Sequence, residues 1–297
     1  MSILNKLLFF SLFSISVFSQ NTSYQAYYGL VNEAARQAFL ENEAKALSLY
    51  QRAFAEVPFV HTIQYVKAAR VAARERAFDL ISAYLLQAIQ QGYNPGVIEQ
   101  PVFKKYRKSS AYTALQSSLA EPLEGLNFDT TYAEVIDSLY YIDQGLLRKN
   151  PRLPLRMVDT TLSYSDSLNF ACLQAYIQER GFPSEERVGF GAYRQVWVIL
   201  LHNARLPKNQ YIHAFLKEQV DLGAYQPEHY AQVIDQYQAQ LTEPLIYYHW
   251  DVATDVDRLS EQERMDIDER RASIGLPSLD RIRVVRKGGT VKNQLLW

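Results

Sequence analysis

The sequence predicts a mostly all-α protein, in which a helical repeat region precedes a second helical domain. Apolar residues recur at helical spacing through most of the 297 residues. Helix stops recur as well, because Gly92, Gly181, Gly223 and Gly275 each follow a periodic segment. One stretch, Pro244 to Trp250 (PLIYYHW), breaks the helical rhythm and is typical of an extended aromatic loop or short strand.

Residues 1–19 are typical of a cleaved secretory signal. Lys6 precedes an apolar core from Leu7 to Phe18, which is shorter than the roughly 20 apolar residues that a membrane span needs. The polar residues after it contain no stop-transfer pattern, and an uncleaved membrane anchor is the alternative. We therefore expect a periplasmic or secreted chain that begins near Gln20 and has no stable membrane insertion.

The composition is that of an ordinary soluble globular chain. Lysine and arginine number 31 against 32 aspartate and glutamate, and the only basic concentration is near a tail, residues 283–297. Such a charge balance indicates no nucleic-acid partner and leaves a protein or peptide as the expected one. The single cysteine, Cys172, cannot form an internal disulfide, and we expect it to be buried in an apolar helical face.

Residues 20–120 contain an internal helical repeat. Periodic residues predict two helix pairs, with a turn at Glu41-Asn42 in the first and Pro58 after it. A set of core residues recurs, namely Ala46, Tyr50 and Ala53 in the first pair and Ile81, Leu85 and Ala88 in the second. The shift is close to the period of about 34 residues in tetratricopeptide arrays, so residues 20–120 resemble a tetratricopeptide-like helical repeat region. Two repeats leave the ends uncovered, so the region needs its neighbour. An irregular helical bundle is the alternative.

A linker, residues 120–129, is expected before the second domain, residues 130–282. Thr131 begins a capping-box pattern with the glutamate three residues later, and Ser260 begins another. Pro227 is expected at the first position of a helix between them. These signals predict a helical second domain.

The central element of that domain is the stretch from Gly181 to Ala204. Gly181-Phe182-Pro183 ends one helix, and apolar residues then cover nearly every face of the next segment as far as His202. A short buried strand is the alternative, but the length of the segment favours a helix. Because such a helix belongs in the centre of a domain, we expect His202 to lie deep and against the 244–250 loop.

An ordered residue pattern runs through the second domain. Its members are Asp143-Gln144 with Arg148, Asn169, Gly181-Phe182-Pro183, Val188-Gly189, Trp197, His202, Asp235, and the closing Asp268-Glu269-Arg270-Arg271 with Gly275-Leu276-Pro277 and Leu279. On this pattern, the segment from Asp143 to Leu279 resembles an uncharacterised bacterial domain family. The resemblance implies no known activity.

The chain departs from the family pattern at several places. Phe182 replaces a tryptophan, Leu201 replaces a glutamine before the histidine, and Gln236 replaces an arginine. The family commonly has Tyr-Gly-Thr-Gln before its close, whereas here Tyr247 is followed by Tyr248-His249-Trp250. If that loop lines a site, the chemistry of the site has changed or been lost in this chain.

Four residues are the catalytic candidates. His202 could act as an acid or base if Asp143 or Asp235 orients it, with Tyr247 on an adjoining rim. The alternative is structural, since a histidine that ends a buried helix commonly caps carbonyl groups. The histidine spacings fit no standard metal motif, and no phosphate-binding glycine loop is present, so neither a metal nor a cofactor is predicted.

Four other residues are candidates for binding. His249 and Trp250 extend the aromatic rim around Tyr247. Arg270 and Arg271 would suit an anion if they lacked acidic partners. The acidic residues around them favour instead an ion-pair network that closes the fold.

Three function classes stay open. An exported binding or scaffold protein is the leading interpretation, because helical repeats present concave faces and no catalytic motif is complete. An enzyme, such as a hydrolase, that uses His202 with a carboxylate is the alternative. A purely structural exported protein is the third. An open pocket that unites His202, Tyr247 and Asp143 would favour the enzyme, and an exposed groove across Tyr27 to Ala88 would favour the scaffold.

Overall fold

The chain is helical throughout the residues that the structure describes. The structure is a computed structural model that describes residues 24–120, 127–145, 155–204, 211–249 and 258–279. No strand occurs within these ranges, which confirms the all-α class. The α-helices are α1 (24–39), α2 (Glu43–Ala55), α3 (Thr62–Glu75), α4 (Phe78–Gln90), α5 (Ser110–Ala120), α6 (Thr130–Gly145), α7 (Leu155–Arg180), α8 (Glu185–Asn203), α9 (Tyr211–Asp221), α10 (Pro227–Gln240) and α11 (Glu261–Ala272). Short 3₁₀ helices span Pro95–Glu99, Pro101–Phe103 and Tyr106–Lys108.

Helices α1 to α5 enclose one hydrophobic core. Along this region each of α2, α3 and α4 contacts the helix that follows it. The turn at Glu41-Asn42 and the end of α2 before Pro58 lie where the sequence predicts them. Ala46, Ala53 and Ala88 are all fully buried, because small side chains let neighbouring helices approach closely.

Helix α8 is the centre of a second core. It contacts α6, α7 and α10, and its residues Tyr193, Val196 and Ile199 are buried. The prediction of a central helix is therefore confirmed. The helix is interrupted at Gly189, which has a φ of 79° and a ψ of 162°. That left-handed φ suits glycine, and a side chain there would meet the Phe128 ring at 3.4 Å.

The two cores meet at a junction made by α1. The Tyr24 ring lies so close to Gly223 that an added Cβ would be 2.1 Å from it. Further along α1, Asn32 Nδ2 donates a hydrogen bond to the Gly275 carbonyl oxygen at 2.7 Å. Elsewhere the Phe190 N–H donates to the Gln91 carbonyl oxygen at 2.9 Å. The first helical region therefore packs tightly on the second.

Several predicted helix ends are confirmed. Helix α7 ends at Arg180, and Gly181 follows with a φ of 84°. Pro227 is the first residue of α10. Ser260 forms the predicted capping box with Glu263, in which each side chain binds the backbone of the other residue.

Two predictions about individual helices are wrong. Cys172 is exposed, because α7 turns a neighbouring face inward and buries Asp166, Asn169 and Leu173 instead. The inward face of α7 is thus partly polar, and for that reason the spacing of apolar residues predicts the wrong inward face. Helix α6 begins at Thr130, and the Asp129 carboxylate accepts a hydrogen bond from the Tyr132 N–H at 3.0 Å. The predicted capping box at Thr131 is therefore displaced by an aspartate cap upstream.

Several predictions lie outside the described residues: the signal segment 1–19, most of the 120–129 linker, Arg148, Trp250 and the basic tail 283–297. Among the helices that are described, none combines the length and the hydropathy that crossing a bilayer requires.

Candidate functional site

A cavity of about 640 Å³ lies at the junction of the two cores. Residues of α1, α3, α8 and α10 form its walls, together with Tyr93, His249, Arg271 and Leu276-Pro277. The cavity exists because these segments, far apart in sequence, converge where α1 docks on the second region. Its volume lies within the roughly 300–1,000 Å³ that is typical of pockets for small organic ligands.

Aromatic rings form one wall of this cavity. The rings of Trp197 and His229 are stacked, with centroids 4.7 Å apart and planes inclined by 16°. The Phe190 and Tyr93 rings lie 5.0 Å apart, and both residues also line the cavity. Rings of this kind offer large rigid apolar surfaces to a ligand.

His229 is held in its neutral form. The Tyr193 hydroxyl accepts the Gln226 N–H at 2.9 Å, so its own proton points to His229 Nδ1 at 3.1 Å. Burial, together with positive charge at His61, Arg194 and His249, lowers the pKa of His229 from 6.5 to about 3. At neutral pH the imidazole is therefore an uncharged ring with Nδ1 as an acceptor.

The charged residues that line the cavity are unequal in sign. Four are cationic, namely Arg36, Lys67, Arg194 and Arg271, and one is a carboxylate, Glu228. The lining therefore has an excess of positive charge, and its electrostatic potential favours an anion.

Lys67 is the half-buried cation in this set that has no close partner among the described residues, whereas Arg194 is exposed. Arg36 is paired with Glu33 at 2.6 Å, whereas the half-buried Lys67 ammonium forms no ion pair or hydrogen bond with a described residue. Burial lowers the pKa of Lys67, and the more distant Glu228 carboxylate opposes that shift. An anion that binds beside the half-buried Lys67 ammonium therefore stabilises its positive charge.

Three buried polar atoms on lining residues lack a hydrogen-bond partner among the described residues. They are Gln64 Oε1, Gln232 Oε1 and Trp197 Nε1. Gln64 is only 3% exposed, so its side chain is shielded from the outside of the molecule. Because an unsatisfied buried polar atom costs about 1–3 kcal/mol, three of them on one cavity indicate a place for a ligand with polar groups.

Residues 244–249 contain neither helix nor strand, and His249 at their end lines the cavity. The buried Asp235 carboxylate accepts the N–H groups of Ile246, Tyr247 and His249 at 3.0, 2.8 and 2.7 Å. Burial raises the pKa of Asp235, while these three donors and the Arg271 charge act in the opposite direction. Asp235 thus fixes the loop rather than orienting His202.

Arg270 and Arg271 of α11 donate hydrogen bonds to backbone carbonyl groups. Arg271 is buried, its Nε donates to the Pro277 carbonyl oxygen at 2.7 Å, and its Nη1 donates to the Tyr247 carbonyl oxygen. Arg270 Nε donates to the Ile246 carbonyl oxygen at 3.2 Å. The sequence predicted an ion-pair network for these arginines, and these hydrogen bonds join α11 to the 244–249 loop as well.

A second group of polar residues lies between α6, α7 and α8. His202 Nδ1 is 2.7 Å from Asp143 Oδ2, which also accepts a hydrogen bond from Gln144 Nε2 at 2.6 Å. Asp166, buried on α7, completes a set whose ligand atoms all lie within 4.8 Å of one another. One imidazole nitrogen and two carboxylates suit a divalent cation of the Mn²⁺ or Zn²⁺ type, so these three residues could hold a metal.

A third histidine is embedded in the junction of the two cores. The buried Glu185 carboxylate accepts hydrogen bonds from the Thr62 N–H at 2.7 Å and Gln226 Nε2 at 2.9 Å, and it lies 3.1 Å from His61 Nδ1. The other ring nitrogen of His61 lies 2.9 Å from the Tyr28 hydroxyl. This hydrogen-bond network links α1 and α3 to α8 and α10.

The predicted site residues therefore fall into separate groups. Asp143 and His202 form a pair, as the sequence suggests, whereas Asp235 and Tyr247 belong to the loop and its anchor. His249 lines the cavity. Where His202 was expected to meet the loop, the structure places it with Asp143 and Asp166.

Sequence reasoning missed Asp166, Glu185 and most of the cavity. Asp166 lies three residues before Asn169 and seven before Leu173, so an inward face with polar members was legible in α7. Glu185 gave the usual signal of an acidic first turn and no sign of burial. The cavity had no local signal, because its walls come from four helices.

Comparisons of this chain with protein-family models, with curated proteins and with solved structures found no match.

Proposed function

We propose that this chain is an exported binding protein whose ligand occupies the junction cavity. The observation that carries the proposal is the cavity itself: about 640 Å³, with stacked rings on its wall and three unsatisfied polar atoms on its lining residues. A concave, largely apolar space with a few placed polar groups is the usual form of a small-molecule site.

The position of the cavity also supports binding over the scaffold groove that the sequence suggested. Tyr27 and Ala88, at the two ends of that stretch, are both fully buried, so neither is available to a ligand in an open groove. We propose that α1 to α4 are two tetratricopeptide-like pairs, and that the second region, with its resemblance to a bacterial domain family, covers their ends. The ligand site then lies where the two regions join.

A neutral fluorescent probe tests the proposal. Phenylnaphthylamine, which is apolar and aromatic, should bind the full chain with a rise in fluorescence. Trp197→Ala removes a ring from the cavity wall and should weaken binding about tenfold, the equivalent of about 1.4 kcal/mol. Tyr141→Ala is the matched control, because Tyr141 is 68% exposed on α6. A wild-type chain that binds no probe, or equal losses in both variants, would contradict a ligand site in the cavity.

Export is tested separately. N-terminal sequencing of the chain recovered outside the cytoplasm should begin near Gln20, and recovery of a chain that retains Met1 would contradict cleavage. A pulldown from the same fraction should recover any protein or peptide partner.

The second candidate function is acid or base catalysis by His202, which the 2.7 Å approach of its Nδ1 to Asp143 favours. A carboxylate at that distance orients an imidazole and supports its protonation during a reaction. Hydrolysis of a nitrophenyl ester by the full chain should then be lost in His202→Gln and retained in His213→Gln. Equal rates in both variants would exclude His202 as the catalytic group for that substrate class.

A further inference from the structure

The cationic side chains that line the junction cavity have different surroundings, and this difference restricts the chemical class of the ligand. Arg36 is neutralised by Glu33, with Nε and Nη2 at 2.8 and 2.6 Å from its carboxylate. The Arg194 guanidinium lies over the Phe190 ring at 5.8 Å and is exposed. Lys67 alone among the lining cations is half-buried and lacks an ion pair with a described residue.

We infer that the ligand is an aromatic organic anion, with its rings against Trp197 and its single anionic group at Lys67. This inference rests on the proposed function, because it concerns the same cavity. It adds the chemical class of the ligand: rings with one carboxylate or sulfonate, rather than a neutral lipid or an amine.

The sign of the ligand charge follows from the lining. Four lining residues are cations and one, Glu228, is a carboxylate. Because Arg36 is paired with Glu33, three cations remain against Glu228, so an amine would meet more repulsion than attraction. Burial deprives the Lys67 ammonium of water, and an anion there stabilises its charge. The anion also gains a charge-assisted hydrogen bond. The ammonium is a compact donor, which suits a single anionic group better than an extended polyanion.

The remaining polar atoms specify the rest of the ligand. Gln64 Oε1 and Gln232 Oε1 are acceptors without a partner among the described residues, so the ligand needs a hydroxyl or amine N–H to satisfy them. Trp197 Nε1 is a donor and suits a carbonyl or anionic oxygen. Two fused rings with one further ring fit within about 640 Å³.

A pair of dyes tests the class directly. Anilinonaphthalene sulfonate and phenylnaphthylamine share the same rings and bridging N–H, and only the first has an anionic group. The full chain should bind the anionic dye about tenfold more tightly than the neutral dye. Lys67→Met keeps the length of the side chain and removes its charge, so it should abolish most of that preference while affinity for the neutral dye stays unchanged.

Lys45→Met is the matched control, because Lys45 is exposed on α2 and away from the cavity lining. Melting temperatures confirm that both variants fold, and Lys67→Gln replaces Lys67→Met if the latter does not. Equal affinity of the wild type for the two dyes, or a preference that survives in Lys67→Met, overturns the anion inference and leaves the binding function standing. Binding of neither dye overturns both.

Discussion

Two histidine–carboxylate pairs in this molecule have the same chemistry and different surroundings. His61 Nδ1 lies 3.1 Å from Glu185, and His202 Nδ1 lies 2.7 Å from Asp143. The His61 side chain is 1% exposed, and its second nitrogen is bonded to Tyr28. The His202 side chain is 13% exposed.

The difference teaches that proximity of a carboxylate does not identify a functional histidine. The His61 ring is stacked on Tyr28, and both of its nitrogens are occupied by groups from elsewhere in the fold. It therefore holds two helical regions together and has no access to a substrate. The His202 side chain is partly exposed and has a second carboxylate, Asp166, nearby, so it is more accessible to a substrate than His61 is.

The largest effect is expected from Glu185→Ala, which breaks the junction pair. It removes the acceptor for the Thr62 N–H and Gln226 Nε2 and leaves His61 without its carboxylate. Because a broken buried pair leaves uncompensated polar groups, the free energy of unfolding should fall by about 3–5 kcal/mol in urea titration. Glu186→Ala, at the exposed neighbouring position, should change it by less than about 0.5 kcal/mol. Equal effects would show that the junction network contributes nothing to stability.

Gly223→Ala should have the next largest effect, since it forces apart α1 and the second region. Gly223 has a φ of 72°, and a Cβ there would lie 2.1 Å from the Tyr24 ring. Steric overlap and the strained φ together should cost about 2–4 kcal/mol, measured by thermal or urea unfolding. Gly29→Ala on α1 is the control: nothing lies within 4 Å of its Cβ position, so it should be neutral or stabilising. Full stability in Gly223→Ala would mean that α1 does not dock as described.

The helices themselves were predictable because their signals are local. Gly181 ends α7 through a left-handed φ, and Ser260 caps α11 through its own side chain. Such signals act over a few residues and survive whatever the rest of the fold does. The wrong face of α7, with Cys172 outward, shows the limit: Asp166 and Asn169 are buried because α6 and α8 supply partners that no local pattern reveals.

The site was only partly predictable for the same reason. The sequence offers Asp143 and Asp235 as possible partners of His202, and the structure places Asp143 beside it. The cavity joins Gln64 and Lys67 of α3 to Trp197 of α8 and His229 of α10, and those contacts depend on how α1 crosses the junction. Periodicity places each residue on a face of its helix but does not say which face meets which.

His202→Ala should have an intermediate effect on the free energy of unfolding. It tests the second histidine–carboxylate pair, His202 with Asp143. If His202 is structural, loss of its hydrogen bond to the buried Asp143 should cost about 1–3 kcal/mol of unfolding free energy. His202→Gln keeps a donor and should recover part of that loss. If instead His202 is functional, the melting temperature should stay nearly unchanged while ligand binding or esterase activity disappears. We expect the structural outcome, and unchanged stability with unchanged function would rule out both.

The smallest effect is expected when the pH is lowered, because His229 at the cavity wall then reduces the free energy of unfolding. Its pKa is lowered from 6.5 to about 3, first by burial and then by the positive charges of His61, Arg194 and His249. Between pH 6.5 and about 3, His229 binds a proton in the unfolded chain but not in the folded chain. Its contribution to the free energy of unfolding is therefore fully present above pH 6.5 and is lost as the pH falls. From pH 6.5 to about 5.5 this one group should cost about 1 kcal/mol. His229→Asn keeps an acceptor towards Tyr193 and does not titrate, so the difference between its unfolding free energy and that of the wild type should shift with pH by this amount. A difference that stays constant with pH would mean that His229 is protonated as readily in the folded chain as in the unfolded one.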